Sequence, residues 1–339
     1  MTAPDVHPWN RGLWESLPPL EAMAPVMLLF GAAGTGKAAF AAALAHSLLC
    51  AQPTSGRRAC GRCAACRLAI ADHHPDLRVL GAGDETEDEE GTEASSTKSR
   101  GGRWIKVGSV RVLADFLAFS SHLGGRKVVV VEQADRLHPS AANAMLKTLE
   151  EPPPQTHFLL VTGKPARLPA TVRSRCNKLS FHLPPVSEGI EWLRGQGAQR
   201  PALALAQTGN APLAALALDR ADYWKLRDQV IESVLGREDF DPVAAVDRLG
   251  QDNLPVLVHA MQRWTFDLLA LASRGPLRYN PDCAQILHRL AARTTRAALL
   301  RLVRQLNDVA RSIDHPLNAR LVAQRCLFAY KAAMCGMEA

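Results

Sequence analysis

The sequence predicts a parallel, three-layered α/β domain built on a phosphate-binding loop and followed by a wholly helical C-terminal region. Three observations carry that prediction. The loop Gly31-Ala-Ala-Gly-Thr-Gly-Lys37 lies between an apolar run and an alanine- and leucine-rich segment, the strand–loop–helix setting such a loop requires. Strand-like and helix-like segments then alternate to about residue 182. Beyond Pro184 the strand signals stop and long amphipathic stretches replace them.

Taken in order, residues 26–30, Val-Met-Leu-Leu-Phe, form a short apolar run that ends at Gly31 and predicts a buried strand. Residues 37–49 predict the helix after the loop, and Asp76-Leu-Arg-Val-Leu80 a second strand. The segment 81–102 changes character, with seven acidic residues from Asp84 to Glu93 and then Ser, Thr and Gly. It carries too little apolar surface to order itself, so a disordered insertion is expected. Order resumes at Trp104-Ile-Lys-Val, and Val110, Leu113, Leu117 and Phe119 predict one apolar side of a helix that Gly124-Gly125 ends. Lys127-Val-Val-Val-Val131 is a continuous β-branched run, the mark of a strand covered on both faces. Pro139 opens a helix over residues 140–149, and Glu151-Pro-Pro-Pro154 closes it, because proline cannot continue the helical ladder. His157-Phe-Leu-Leu-Val-Thr162 predicts a further strand. Residues 187–219 predict a small helical unit, and stretches such as 254–271, 297–309 and 317–333 predict a helical domain. No internal repeat is evident.

The bulk properties set bounds on function. Hydrophobic residues at 47% and charged residues at 22% over 339 residues describe a soluble globular chain long enough for two or three domains. No apolar run reaches the roughly 18 residues needed to span a bilayer. The N-terminus lacks the basic and apolar regions of a signal peptide, so a cytoplasmic protein with no membrane partner is expected. The net charge of +7 fits either an anionic partner such as nucleic acid or a surface with surplus arginine. Eight cysteines, four of them clustered, fit metal binding in a reducing compartment better than a disulfide framework.

Three motifs carry the chemistry. In a working phosphate loop the backbone N–H groups cradle the phosphates, and the lysine reaches the β and γ oxygens. Gly31, Gly34, Gly36 and Lys37 supply those parts, but the next position, where a hydroxyl holds magnesium, is Ala38. The strand 128–131 is followed by Glu132-Gln133, where a hydrolysing enzyme of this kind carries Asp-Glu. Glu132 can replace the first carboxylate in part; Gln133 is no base, so the two defects oppose hydrolysis. Cys50, Cys60, Cys63 and Cys66 are spaced to close a four-thiolate zinc site, structural and not catalytic, with His73-His74 as a rival source of ligands. Thr171-Val-Arg-Ser-Arg-Cys176 places two arginines just after the strand that ends at Thr162. By itself that tract fits either a charge inserted beside a neighbour's γ-phosphate or a basic surface turn.

Together these pieces resemble the δ′-type subunits of bacterial DNA polymerase III clamp loaders, members of the AAA+ superfamily. The resemblance rests on Gly31–Lys37, Cys50, Cys60, Cys63 and Cys66, residues 128–135, Asn143-Ala-Met-Leu-Lys-Thr-Leu-Glu-Glu-Pro-Pro153, residues 158–162 and Ser174-Arg-Cys176. It covers the first domain; the C-terminal third matches only in helical character and length. The resemblance implies an AAA+ domain over residues 1–166 with the zinc module inserted at 50–66, a helical lid over 167–212 and a helical collar over 213–339. It implies membership of a five-subunit arc with γ or τ motor subunits and δ, which loads the sliding clamp onto primed DNA as part of the polymerase III holoenzyme. This subunit would be a stator without ATPase or polymerase activity of its own. Arg175 would act in trans on the ATP of a neighbouring motor. Glu132 and Thr162 would join Gly31, Gly34, Gly36 and Lys37 in a degenerate nucleotide site, Thr162 at the sensor position. The lid tract Gly209-Asn-Ala-Pro-Leu213 lacks the second sensing arginine of active relatives. Zn2+ is implied as a structural cofactor; Lys37, which many members of the family lack, leaves binding of ATP with Mg2+ open. The competing readings are a hydrolysing γ/τ-type motor, against which Ala38 and Gln133 count, and a zinc-dependent nucleic-acid-binding module, which leaves the phosphate loop and Ser174-Arg-Cys176 unexplained.

Overall fold

The computed structural model describes residues 4–82, 104–237, 239–249, 253–312 and 318–335, which fall into two compact units, Met1–Leu183 and Pro184–Ala339. From residue 83 onward the acidic insertion lies outside the described residues. In the first unit the chain runs α1 (Arg11–Glu15), β1 (Val26–Gly31), α2 (Lys37–Leu49), α3 (Ala64–Ile70), β2 (Leu77–Leu80), α4 (Val107–Ala118), β3 (Lys127–Val131), α5 (Pro139–Glu150), β4 (Thr156–Thr162), α6 (Ala170–Arg173) and β5 (Asn177–Phe181). The strands form one parallel sheet in the order β2-β3-β4-β1-β5.

The side-chain period of two divides each central strand between two cores. Met27, Leu29, Val128, Val130, Leu159 and Val161 pack with Phe40, Leu44 and Leu48 of α2. The alternate residues Val26, Leu28, Val129, Val131, Phe158 and Leu160 pack with Val110 and Leu113 of α4 and Met145 and Leu149 of α5. The three-layered arrangement predicted from the valine run is therefore the one observed, and it is the α/β AAA+ arrangement that the resemblance implied. The sheet extends past the expected boundary at residue 166, because β5 pairs with β1 through Gly31↔Phe181, so the first unit closes at Leu183. A Cβ on Gly31 would stand 2.3 Å from the Phe181 carbonyl oxygen, so only glycine lets β5 close against the start of the phosphate loop. One apolar residue was placed on the wrong side. Phe119 lies beyond the end of α4 and is 70% exposed, while Phe116 is buried. At 100° per residue, position 119 falls opposite position 110, whereas position 116 lies 60° from the buried Leu113.

The second unit holds α7 (Val186–Gly195), α8 (Pro201–Gln207), α9 (Pro212–Leu218), α10 (Ala221–Val230), α11 (Pro242–Leu249), α12 (Leu254–Ala272), α13 (Ala284–Ala291), α14 (Arg296–Ser312) and α15 (Ala319–Cys335). No strand occurs among its described residues. Two cores form within it. Leu193, Leu205, Ala215 and Trp224 make the smaller. The larger centres on Met261, Trp264 and Leu268 of α12, with Leu299, Leu302 and Leu306 of α14 spaced to share one helical side. Trp264 Nε1 donates to Tyr330 Oη at 3.0 Å, and Tyr330 Oη donates to the Leu235 carbonyl at 2.6 Å, so the polar ends of both buried rings are satisfied. A buried polar cluster ties the two cores. Arg227 forks onto Asp282 at 2.8 and 2.9 Å and reaches Asn280 Oδ1 at 3.0 Å, which Gln207 Nε2 also meets at 2.9 Å. The wholly buried Asp267 carboxylate accepts the backbone N–H groups of Arg278, Tyr279 and Asn280, which fixes the α12–α13 connection.

Candidate functional site

The phosphate loop sits at the carboxyl ends of the parallel strands, between β1 and α2. Gly34 and Gly36 have φ of +77° and +87°, backbone conformations that glycine adopts at little cost. Lys37 is buried, and its Nζ donates to the Gly31 and Ala32 carbonyls at 3.0 and 2.6 Å. Burial draws its ammonium below the ordinary lysine value, and the Asp135 carboxylate opposes that shift. Thr35, fully buried, presents its carbonyl to two N-terminal side chains, Trp9 Nε1 at 2.9 Å and Asn10 Nδ2 at 2.8 Å. A Cβ on Gly36 would stand 2.5 Å from the His7 ring, so residues 7–10 lie directly on the loop. Sequence reading missed this brace; a tryptophan and an asparagine outside any periodic pattern were its only signal.

Around the loop, the expected partners separate. Thr162 ends β4, is buried, and donates its hydroxyl to Asp135 Oδ1 at 2.7 Å while accepting the Lys164 N–H at 3.0 Å. Glu132 extends the backbone ladder by donating its N–H to the Leu80 carbonyl at 2.8 Å, and its side chain is exposed. The carboxylate that acts on Lys37 is that of Asp135, which the sequence reading did not single out. It lies within the tract 128–135 but four residues past the strand end, beyond the position where the motif places its acids. Ala38 and Gln133 are exposed and offer neither a hydroxyl for magnesium nor a base.

The four cysteines converge. Their sulfurs all lie within 4.8 Å of one another, with Cys50–Cys63 at 4.0 Å and Cys60–Cys66 at 3.9 Å. A tetrahedron of ~2.3 Å zinc–sulfur bonds has edges of about 3.8 Å, so the donor set fits a four-thiolate metal site. Local structure builds it. Cys50 ends α2, and Cys63 caps the N-terminus of α3 by accepting the Cys66 N–H at 3.4 Å. Cys60 N–H donates to Cys50 Sγ at 3.3 Å and Cys63 N–H to Cys60 Sγ at 3.4 Å. Backbone N–H groups of Arg62 and Cys63 lower the Cys60 thiol to about 6, which favours the thiolate that a metal needs. Burial pushes the Cys50 and Cys66 thiols up, and a bound dication would reverse that. Neither His73 nor His74 belongs to the cluster, and His74 Nδ1 accepts the Asp76 N–H of its own turn at 3.1 Å.

Arg175 stands on a preformed turn between α6 and β5. On one side Ser174 Oγ donates to the Thr171 carbonyl at 3.0 Å. On the other the buried Cys176 thiol, raised to about 11 by burial, donates to the Val172 carbonyl at 3.1 Å. These anchors explain the small hydroxyl and the small apolar residue flanking the arginine. The guanidinium is partly exposed; its Nε donates to Glu150 Oε1 at 2.8 Å and its Nη1 to the Thr171 carbonyl at 2.8 Å.

Comparison with known proteins follows the same division of the chain. Residues 16–185 match the family model described as DNA polymerase III, delta subunit, and residues 221–331 the model of its C-terminal part. The chain is 36% identical over 271 residues to DNA polymerase III subunit delta′ of Pseudomonas aeruginosa, covering 78% of this chain and 77% of that protein. It is 34% identical over 272 residues to subunit delta′ of Escherichia coli, covering 78% and 75%. It is also 32% identical over 241 residues to subunit tau of Escherichia coli, covering 69% of this chain and 33% of tau.

Proposed function

The chain belongs to the DNA polymerase III subunit delta′ family, and from that premise we propose that it is a non-hydrolysing stator subunit of a cytoplasmic clamp loader. Its partners are γ or τ motor subunits and δ, in a hetero-pentamer that places the sliding clamp on primed DNA. No helix of the described residues is long and apolar enough to cross a membrane, which suits such a role. The observation that carries the reading is the turn at Ser174-Arg175-Cys176. Two flanking side chains fix its backbone and leave the guanidinium partly exposed at the surface, an arrangement that supports a charge offered to a neighbour's γ-phosphate. Ala38 and Gln133 leave the chain's own loop without a magnesium hydroxyl or a water-activating base, while Gly31, Gly34, Gly36, Lys37, Glu132 and Thr162 keep the outline of a nucleotide site. The sulfur geometry supports a structural Zn2+ held by Cys50, Cys60, Cys63 and Cys66.

The retained Lys37 and the match to tau favour a second reading, a motor subunit that hydrolyses ATP. One experiment separates the two. ATP turnover is measured for this chain alone, for the motor subunits alone, and for the assembled loader carrying either Arg175 or Arg175→Ala. An arginine finger contributes about 10³–10⁵ at the site it serves. The loader with Arg175→Ala should therefore lose the share of turnover that comes from the site facing it, and the isolated chain should be silent. Unchanged turnover in the variant loader would remove the role in trans, and robust turnover by the isolated chain would establish the motor.

A further inference from the structure

Glu150 closes α5, one residue after the buried Leu149 and just before Glu151-Pro152, where proline ends the helix. A carboxylate in the last turn faces the negative end of the helix dipole, an unfavourable place for it. It is held there by Arg175. The Nε of Arg175 donates to Glu150 Oε1 at 2.8 Å and Nη2 donates to the same oxygen, while Nη1 is held by the Thr171 carbonyl at 2.8 Å and Ser174 Oγ at 3.4 Å. A guanidinium offers its donors as a planar fork, and the edge formed by Nε and Nη2 is one of those suited to two oxygens of a phosphate or carboxylate. Glu150 of the same chain holds that edge.

We propose that Glu150 is a latch on Arg175, a resident carboxylate that the γ-phosphate of a neighbouring subunit's ATP must displace before the arginine can act in trans. This rests on the role for Arg175 proposed above. Glu150 is a positioning residue and touches no reacting atom. The exchange is feasible because the pair is open to solvent, with the Arg175 and Glu150 side chains 30% and 48% exposed. Pairs so placed contribute little, so a dianionic phosphate can outcompete the carboxylate. The rest of the fork, on Thr171 and Ser174, keeps the arginine aimed while Glu150 lets go. A parked finger also quenches its own charge until a neighbour presents nucleotide.

The test uses the assembled loader, without clamp or DNA, carrying Glu150→Gln, Glu150→Asp, Arg175→Ala, or Glu150→Gln with Arg175→Ala. Glutamine keeps the shape and removes the charge. The latch requires Glu150→Gln to lower the KM for ATP by about two- to five-fold, the reach of an exposed ion pair, with kcat unchanged. Glu150→Asp should fall between the two, and the gain should vanish in the double variant. A merely structural Glu150 would not divide KM from kcat in this way. If Arg175→Ala slows the loader but Glu150→Gln leaves KM unchanged or reduces turnover, the latch is wrong and the finger stands. If the loader ignores Arg175→Ala, finger and latch fall together.

Discussion

The stator role proposed above needs the small helical core and the larger helical core to behave as one body, and Asp282→Ala tests the joint between them. Arg227 is 1% exposed, and Asp282 meets it with two hydrogen bonds of 2.8 and 2.9 Å. Removing one partner of a buried ion pair leaves an uncompensated charge and costs about 3–5 kcal/mol. Here the loss is smaller, because the Asp282 side chain is 37% exposed and Asp228 Oδ1 remains 3.3 Å from Nη1. We expect about 2–3 kcal/mol once that residual solvation is allowed for. For a unit of this size the melting temperature should fall by roughly 4–12 °C. Thermal unfolding gives that number, and hydrogen exchange of the α10 and α13 amides locates the loss in the second unit. Coupling Asp282→Ala with Arg227→Met should recover at least half, since methionine fills much of the buried space and needs no counter-ion. A single variant within about 0.5 kcal/mol of the parent would mean the guanidinium is adequately solvated without Asp282. A double variant no better than the single one would refute the charge argument.

Two further outcomes are expected. Cys63→Ser should bring bound metal, measured by atomic emission, to background, and should cost the first unit more than about 4 kcal/mol, the range of broken metal sites; unchanged metal content and melting temperature would rule out the four-thiolate site. Stability should also fall in mild acid. Burial lowers His157 and His259 from the ordinary value of 6.5, so the unfolded chain takes up protons first as the pH drops. Stability contributed by these neutral rings is therefore fully present above 6.5 and is lost as pH falls toward their folded values. Urea midpoints measured from pH 8 to pH 5 check this, and His157→Gln should flatten the decline in the first unit.

What was legible in the sequence follows from which interactions are local. The sheet was legible because the valine run at 128–131 and the continuous apolar runs of β1 and β4 are properties of consecutive residues. The thiolate cluster was legible because its spacing is local too. β5 was not, since Asn177-Lys-Leu-Ser-Phe181 reads as a polar tract and is an edge strand with one buried residue at its end. Asp135 was missed because its contact with Thr162 spans 27 residues of sequence, and the brace of Trp9 and Asn10 on Thr35 spans 26 and 25. The arginine and Glu150 are 25 residues apart and polar, with nothing periodic to join them. Sequence patterns report burial well and long-range polar pairing hardly at all.

That distinction bears on why a loop that lacks its magnesium hydroxyl would keep so much of its form. The retained residues are the ones with structural work. Gly31 admits the Phe181 carbonyl, Gly36 admits the His7 ring, and Lys37 ties together the Gly31 and Ala32 carbonyls. Thr35 anchors the N-terminal segment through its own carbonyl. The changed positions, Ala38 and Gln133, are exposed, and in a hydrolysing relative their side chains would face metal and water instead of protein. Replacing any of the first group would disturb packing or leave a buried polar group unpaired, whereas replacing the second removes chemistry and leaves the fold untouched. A chain selected for shape while its neighbour supplies the ATP would lose its loop residues along this line. A working motor relies on the chemistry those two positions supply, so the pattern within the loop itself favours the stator reading.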